Sequence, residues 1–158
     1  MDLKVIGIDP GINGGIAVLG INGEVENVSR MPETMQDIFD FLREVCALAQ
    51  LEGIRVVCYM EAVGFGMPGQ SSKATATFAR HCGHLEMALL ALGIPTFTAT
   101  PAKWMRHYQL GKSSDYGKTE WKNRLKSKAQ QLFPKEKVTL AVADALLIAE
   151  YGRKQEAM

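Results

Sequence analysis

The sequence predicts an α/β protein with a mixed five-stranded sheet flanked by helices. Three β-rich segments separated by turn signals come first, and helix then alternates with strand. This order is typical of a sheet with helices packed on it. The chain has 158 residues, 47% of them hydrophobic, and contains no repeat or linker. Because that length suits one compact core, we expect residues 1–158 to form a single domain.

The first sixty residues predict a three-stranded antiparallel meander, a helix and a further strand. Turn signals at 10–11, 14–15 and 22–23 separate the first three strands. Apolar residues then recur at three- and four-residue spacing, which indicates an amphipathic helix. The next apolar run lacks polar alternation and predicts a fully buried strand. The predicted strands are 4–8, 15–19, 24–30 and 55–60, and the helix is 35–51.

The rest of the chain predicts one more strand among several helices. Residues 63–72 carry three glycines and a proline, so neither a helix nor a strand continues through them, and we expect a loop. Gly93 and Pro134 mark the ends of two helices. The predicted elements are a helix at 74–92, a strand at 94–99, a helical turn at 101–108, a polar loop at 111–117, and helices at 119–133 and 139–151.

The charge distribution is uneven along the chain, although the net charge is only +1. Residues 1–60 hold four basic and nine acidic residues, whereas residues 101–130 hold eight basic and two acidic ones. A solvated helical face and a phosphate-binding surface both explain such a basic region. The charge pattern alone leaves these two interpretations open.

Several classes of protein are disfavoured by composition. The apolar stretches are too short to span a bilayer, and the first residues lack the pattern of a secretory signal. Cys46, Cys58 and Cys82 are odd in number and widely spaced, so we interpret them as structural residues rather than disulfide or zinc ligands. We expect a cytoplasmic protein without a membrane partner or a small-molecule cofactor.

Three carboxylates stand where an apolar residue would be more usual. Asp9 and Glu61 each follow a predicted strand, and Asp144 is the only charge in TLAVADALLIA. Singly they are explained as a turn cap, a strand-edge residue and a helix N-terminal acid. A buried carboxylate is costly unless it is paired, hydrogen-bonded or bound to a cation. Together the three predict a Mg²⁺ site, at which two ions can promote phosphodiester hydrolysis.

Four motifs occur in a specific order: VIGIDPGINGGIAVL; CYMEAVGFGMPGQSS; FARHCGHLEMALLALGIP with TPAKWMRHYQL; and VADALLIAEYG. In this order they resemble the RuvC-like Holliday junction resolvases over nearly the whole chain, although the first motif alone also resembles actin-like and sugar-kinase proteins. The resemblance implies an RNase H-like fold with strand order 3-2-1-4-5 and a homodimer. It also implies paired nicking of four-way DNA with two Mg²⁺ or Mn²⁺ ions per active site. The short chain suggests a minimal or phage-type enzyme, acting in the bacterial or host cytosol.

The resemblance assigns roles to individual residues. It implies that Asp9, Glu61 and Asp144 are metal ligands and that Lys122 lies near the scissile phosphate, with Lys118 as the alternative. An ordinary solvated helix lysine is the competing interpretation of Lys122.

One departure from the family pattern concerns the last helix. The family usually has an acidic residue or histidine three or four positions before the final aspartate, where this chain has Ala141 and Leu140. Three protein carboxylates would then remain, which implies weaker binding of one metal and slow or metal-selective cleavage.

DNA contacts are expected from the glycine-rich loop and from the basic region. The start of the following helix offers donors to a phosphate, and Phe65 and Met67 are candidate wedges at an opened base step. An ordinary mobile loop with a helix cap explains the same residues. Trp104, Tyr108 and Trp121 lie among basic residues and suggest base stacking, although spacing favours core packing for Trp104. The predicted DNA-contacting residues are Phe65, Gln70, Ser71, Ser72, Lys73, Lys103, Lys112, Lys118 and Lys126.

The main hypothesis is therefore a structure-selective, metal-dependent endonuclease. Met87 and Leu90 extend the apolar face of their helix and predict a two-fold interface that places two active sites on one junction. One alternative is a branched-DNA-binding protein with weak or no cleavage, motivated by Leu140 and Ala141. Another is a related nuclease that acts on RNA or on other branched DNA. An actin-like phosphotransferase is disfavoured, because the sequence shows no second nucleotide-binding domain or phosphate loop.

Overall fold

The computed structural model describes residues 2–158 and contains a five-stranded sheet of order β3-β2-β1-β4-β5, which confirms the predicted fold class. The strands are β1 (Leu3–Asp9), β2 (Gly15–Gly20), β3 (Val25–Arg30), β4 (Arg55–Glu61) and β5 (Thr96–Ala99). The helices are α1 (Met35–Glu52), α2 (Ser72–Ala91), α3 (Pro101–Arg106), α4 (Lys118–Leu132) and α5 (Leu140–Glu156), with a short 3₁₀ turn at Ser113–Asp115.

Strand β1 lies at the centre of the sheet. It pairs antiparallel with β2 and parallel with β4, while β2–β3 is antiparallel and β4–β5 is parallel. The predicted meander is therefore confirmed. The carboxyl ends of β1, β4 and β5 meet at one edge of the sheet, because all three strands run in the same direction.

The two faces of the sheet pack against different helices because side chains alternate along each strand. On one face, Ile6, Ile8 and their neighbours pack against α1 and α2. On the other face, Leu3 and Val5 join a core formed with α3, α4 and α5. A Cβ atom at Gly7 would overlap the backbone of α5 at Ala145 and Ala149. The missing side chain thus allows α5 to lie directly on β1.

Several predicted boundaries, and the predicted burial of one strand, differ from what is observed. Strand β5 begins at Thr96 rather than at 94, because the Ile94 N–H bonds to the Leu89 carbonyl and Pro95 has no N–H. Strand β4 is not buried throughout, since Arg55 is exposed at its start. Helix α5 continues to Glu156, five residues past the predicted end.

None of the helices formed by residues 2–158 combines the length and the apolar character that a bilayer crossing requires.

Candidate functional site

Asp9 and Glu61 are brought together by two adjacent parallel strands. Gly7 pairs with Tyr59 and Ile8 with Met60, so the next step of the register sets Asp9 opposite Glu61. By alternation, Asp9 lies on the face of Gly7, and Glu61 lies on the face of Tyr59, which is the face that α5 covers. Two carboxylates therefore meet beneath α5 at the carboxyl edge of the sheet.

Asp144 comes to the same place from α5. This helix is almost wholly apolar from Val142 to Ala149, and it buries those residues against the sheet. Asp144 is half-buried in the second turn of the helix, close enough to Asp9 for their charges to interact. The interpretation of Asp144 as an ordinary acid at a helix start does not account for this position against two other carboxylates.

Burial disfavours the ionisation of all three carboxylates, and neighbouring carboxylates add to this effect at Asp9 and Asp144. Burial, followed by the charges of Asp144 and Glu61, raises the pKa of Asp9 to about 8, and Lys122 opposes this shift. Burial and the charge of Glu61 raise the pKa of Asp144 to about 6. Burial also raises the pKa of Glu61, against a hydrogen bond from Trp104. The surroundings of the cluster thus disfavour the fully ionised form of the three carboxylates.

Lys122 is the basic residue that helix α4 presents to the cluster. Trp121, Leu125 and Ala129 are buried and fix the face of α4 that packs on the core. Lys122 is consequently exposed, and its side chain lines the same pocket as Asp9 and Asp144. Lys118 and Lys126 lie one turn away on either side, so the predicted alternative, Lys118, is farther from the pocket.

Asp9 and Asp144 open into a pocket of about 690 Å³, the carboxylate pocket, whose lining does not include Glu61. Sequence reasoning did not single out Arg30, Asn13 and Phe78, which line this pocket beside Asp9. The strand register contains a signal for Arg30, because Asp9 pairs with Gly15 and Gly15 pairs with Arg30. Phe78 had no such signal, since its position depends on how α2 crosses the sheet.

The aromatic residues of α3 and α4 are not available for base stacking. Trp104, Tyr108 and Trp121 are all buried in the core that α5 shares. The stacking interpretation is therefore wrong for these three residues. Trp104 instead donates its indole Nε1–H to Oε2 of Glu61 at 2.7 Å.

The predicted DNA-contacting residues fall into two groups. At the start of α2, Gln70 lines the carboxylate pocket, Ser71 caps the helix by accepting the Ala74 N–H, and Lys73 lines an adjoining apolar groove. Phe65 is 52% exposed and packs edge-on against Phe78. Ser72 is also exposed in this group. In the second group, Lys103, Lys112 and Lys118 are exposed and Lys126 is half-buried, all outside the pocket lining.

The donor chemistry fits a hard divalent cation, although the arrangement is not a ready-made cage. Within residues 2–158, no three His, Cys, Asp or Glu side chains form a group poised to hold a metal ion. The donors that meet here are nevertheless all carboxylates, and burial together with the neighbouring negative charges raises the pKa values of Asp9 and Asp144. Leu140 and Ala141 line the pocket as well, so the positions of a possible fourth ligand are apolar there.

The fold is similar to that of RuvC from Thermus thermophilus. A structure of T. thermophilus RuvC in complex with a Holliday junction substrate has 17% identity and a TM-score of 0.59, and the match covers 98% of this chain and 96% of that one. A second T. thermophilus RuvC structure has 16% identity and a TM-score of 0.56, with the same coverage. No protein-family model and no curated protein matches the sequence. The chain therefore has the RNase H-like fold of RuvC, which confirms the resemblance at the level of fold.

Proposed function

We propose that this protein is a metal-dependent endonuclease that resolves four-way DNA junctions. The observation that carries the proposal is the meeting of Asp9, Glu61 and Asp144 under α5, in a fold shared with RuvC over nearly the whole chain. A metal-dependent phosphodiesterase needs carboxylates that bind a cation. It also needs a basic residue that contacts the phosphate. Lys122 lines the carboxylate pocket and meets the second requirement.

The residues of the site have separable roles in this proposal. Asp9, Glu61 and Asp144 would hold Mg²⁺ or Mn²⁺, and two such ions would supply an activated water and charge stabilisation. Lys122 stabilises negative charge on the phosphate as a point charge. Arg30 and Gln70 lie on the wall of the same pocket and contact the phosphates next to the scissile one.

A symmetric dimer would match the two-fold character of a four-way junction. On α2, Met87 is 62% and Leu90 is 73% exposed, and both are apolar. We propose that this face joins two copies, so that each copy nicks one strand of the junction. Such an enzyme acts in DNA recombination and repair, in the cytosol of a bacterium or of an infected host.

The test is cleavage of a labelled mobile four-way junction beside linear duplex, in Mg²⁺, Mn²⁺ or chelator. We expect paired symmetric nicks in the junction alone, and no nicks with chelator. Asp144→Asn should lower the rate by roughly 10³-fold or more, since several kcal/mol of transition-state stabilisation depend on the metal site. The matched control is Asp115→Asn, because Asp115 is an exposed aspartate outside the pocket lining.

A second candidate function is junction binding without efficient cleavage. It is favoured by Leu140 and Ala141, which line the pocket where the resembling family usually has a further ligand. Tight junction binding without nicks in either metal would support this candidate against the nuclease. Cleavage of RNA or of other branched DNA in preference to the four-way junction would instead indicate a related nuclease.

A further inference from the structure

Glu61 accepts a hydrogen bond from Trp104, a buried residue that has no assigned role in the proposed reaction. Trp104 is fully buried, and its Nε1–H lies 2.7 Å from Oε2 of the carboxylate. Indole nitrogen only donates hydrogen bonds, so the glutamate must be the acceptor. The ring also packs edge-on against Tyr108, which restricts its orientation. A rigid donor is thus aimed at one oxygen of one carboxylate.

The local fold explains why these two side chains meet. Glu61 is the last residue of β4 and pairs with Ala99, the last residue of β5. Helix α3 begins two residues later at Pro101, with Thr100 capping it by accepting the Lys103 N–H. Trp104 follows one turn into α3 and faces back toward the end of β4. The register of β4 and β5 and the position at which α3 begins together determine the contact between Trp104 and Glu61.

The hydrogen bond leaves part of the carboxylate free. A carboxylate has two oxygens and about four lone-pair sites, and the indole N–H uses one of them. Oε1 of Glu61 accepts no hydrogen bond from residues 2–158. A fixed donor restricts the rotation of the glutamate and therefore the orientation of its free oxygen, in a carboxylate whose charge reaches Asp9 and Asp144.

We propose that Trp104 is a positioning residue that orients Glu61 for metal binding. This inference rests on the proposed function, because it requires Glu61 to be a metal ligand. Trp104 itself touches neither metal nor substrate and acts only through the glutamate. A purely structural role would need the ring volume of Trp104 but not its N–H.

The chain offers a matched control for this distinction. Trp121 is also buried in the same core, but its Nε1 has no hydrogen-bond partner within the described residues 2–158. Its ring stacks on Tyr116. Trp121→Phe therefore removes a similar ring volume as Trp104→Phe without removing a bond to a carboxylate.

The experiment measures Mn²⁺ binding without DNA, from the electron paramagnetic resonance signal of free Mn²⁺. We expect Trp104→Phe to weaken binding by roughly 10- to 100-fold, as is usual when the partner of a metal ligand is lost. Trp121→Phe should change binding by less than about twofold, because it leaves the carboxylates untouched. Equal weakening by both variants would overturn the proposal in favour of general loosening of the core.

A double-mutant cycle tests whether Trp104 acts through Glu61. In the Glu61→Gln background, Trp104→Phe should cause no further loss of Mn²⁺ binding. A full additional loss would overturn the proposal. If Trp104→Phe does not fold, benzothienylalanine at position 104 removes the N–H at nearly unchanged ring size, and the same weakening is expected.

The outcomes separate this inference from the proposed function. Mn²⁺ binding that depends on Glu61 but is unchanged by loss of the Trp104 N–H would overturn the positioning role alone. Wild-type protein that does not bind Mn²⁺, or binds it independently of Glu61, would overturn both.

Discussion

Strand β1 carries a charged side chain near each end, Lys4 at its start and Asp9 at its last residue. Lys4 is buried on one face of the sheet, within 3.0 Å of Glu26 and 3.3 Å of Glu52. Burial lowers its pKa, but the two glutamates outweigh burial and raise it. Asp9 faces two further carboxylates instead, and its pKa rises to about 8.

The difference separates a charge that the chain itself neutralises from a carboxyl group whose ionisation the chain disfavours. At the Lys4 end, the chain supplies opposite charges to the buried group, so nothing further is needed for stability. At the Asp9 end, burial and the neighbouring carboxylates outweigh the opposing charge of Lys122. Such a half-buried cluster of carboxylates costs folding stability, and it is the arrangement that the proposed metal site requires.

The largest effect is expected from Asp9→Asn in the presence of chelator. Because the pKa of Asp9 is raised from 3.8 to about 8, the native state keeps a proton that the unfolded state loses, and stability falls as the pH rises between these values. Asparagine does not ionise, so the stability of the variant relative to wild type should rise by up to about 5 kcal/mol between pH 4 and 8.5. Urea unfolding at both pH values measures this gain.

Two further measurements test whether charge repulsion explains this gain in stability. Excess Mg²⁺ should reduce the gain, because a bound cation compensates the carboxylates of wild-type protein. A gain that is independent of pH would contradict the charge-repulsion explanation, and Asp115→Asn is the control for substitution of an exposed aspartate.

Lys122→Ala tests the positive charge at the Asp9 end. We expect the cleavage rate at saturating protein to fall roughly 10- to 100-fold, less than for a fully buried donor because Lys122 is exposed. Lys126→Ala removes the same charge one turn along α4, and it should weaken junction binding without a similar loss of rate. Equal losses of rate in both variants would indicate that Lys122 is an ordinary phosphate contact.

The smallest effect is expected at the Lys4 end of the strand. Lys4→Met should lower the free energy of unfolding by about 1–2 kcal/mol, since Glu26 and Glu52 lose their partner but remain partly exposed. Cleavage per folded molecule should be unchanged. Loss of cleavage in folded Lys4→Met protein would show that the two ends of β1 are not independent.

The sequence predicted those parts of the site that depend on strand order and strand ends. Asp9 and Glu61 were recognisable because each follows an apolar run, and parallel neighbours bring such ends together. Asp144 was recognisable as a lone charge in an apolar helix. Their roles as ligands stay predictions.

The remaining contacts depend on how helices sit on the sheet, which local patterns do not determine. Trp104 was correctly expected in the core, but its bond to Glu61 requires the path of the chain from β5 into α3. Phe78 enters the pocket through the crossing of α2 over the sheet. The early predicted start of β5 has a local cause, since apolar Ile94 extends the strand pattern while its N–H serves the end of α2.

The contact at Gly7 sets a dimension of the carboxylate cluster. Because a Cβ there would overlap the α5 backbone, any side chain at this position must displace the helix. Asp9 lies two residues along β1, and Asp144 lies next to Ala145 at the contact itself. Because Gly7 has only a hydrogen atom as its side chain, α5 approaches β1 closely, and this approach helps to set the separation of Asp9 and Asp144. The size of the cation that the proposed site would accept thus depends in part on Gly7.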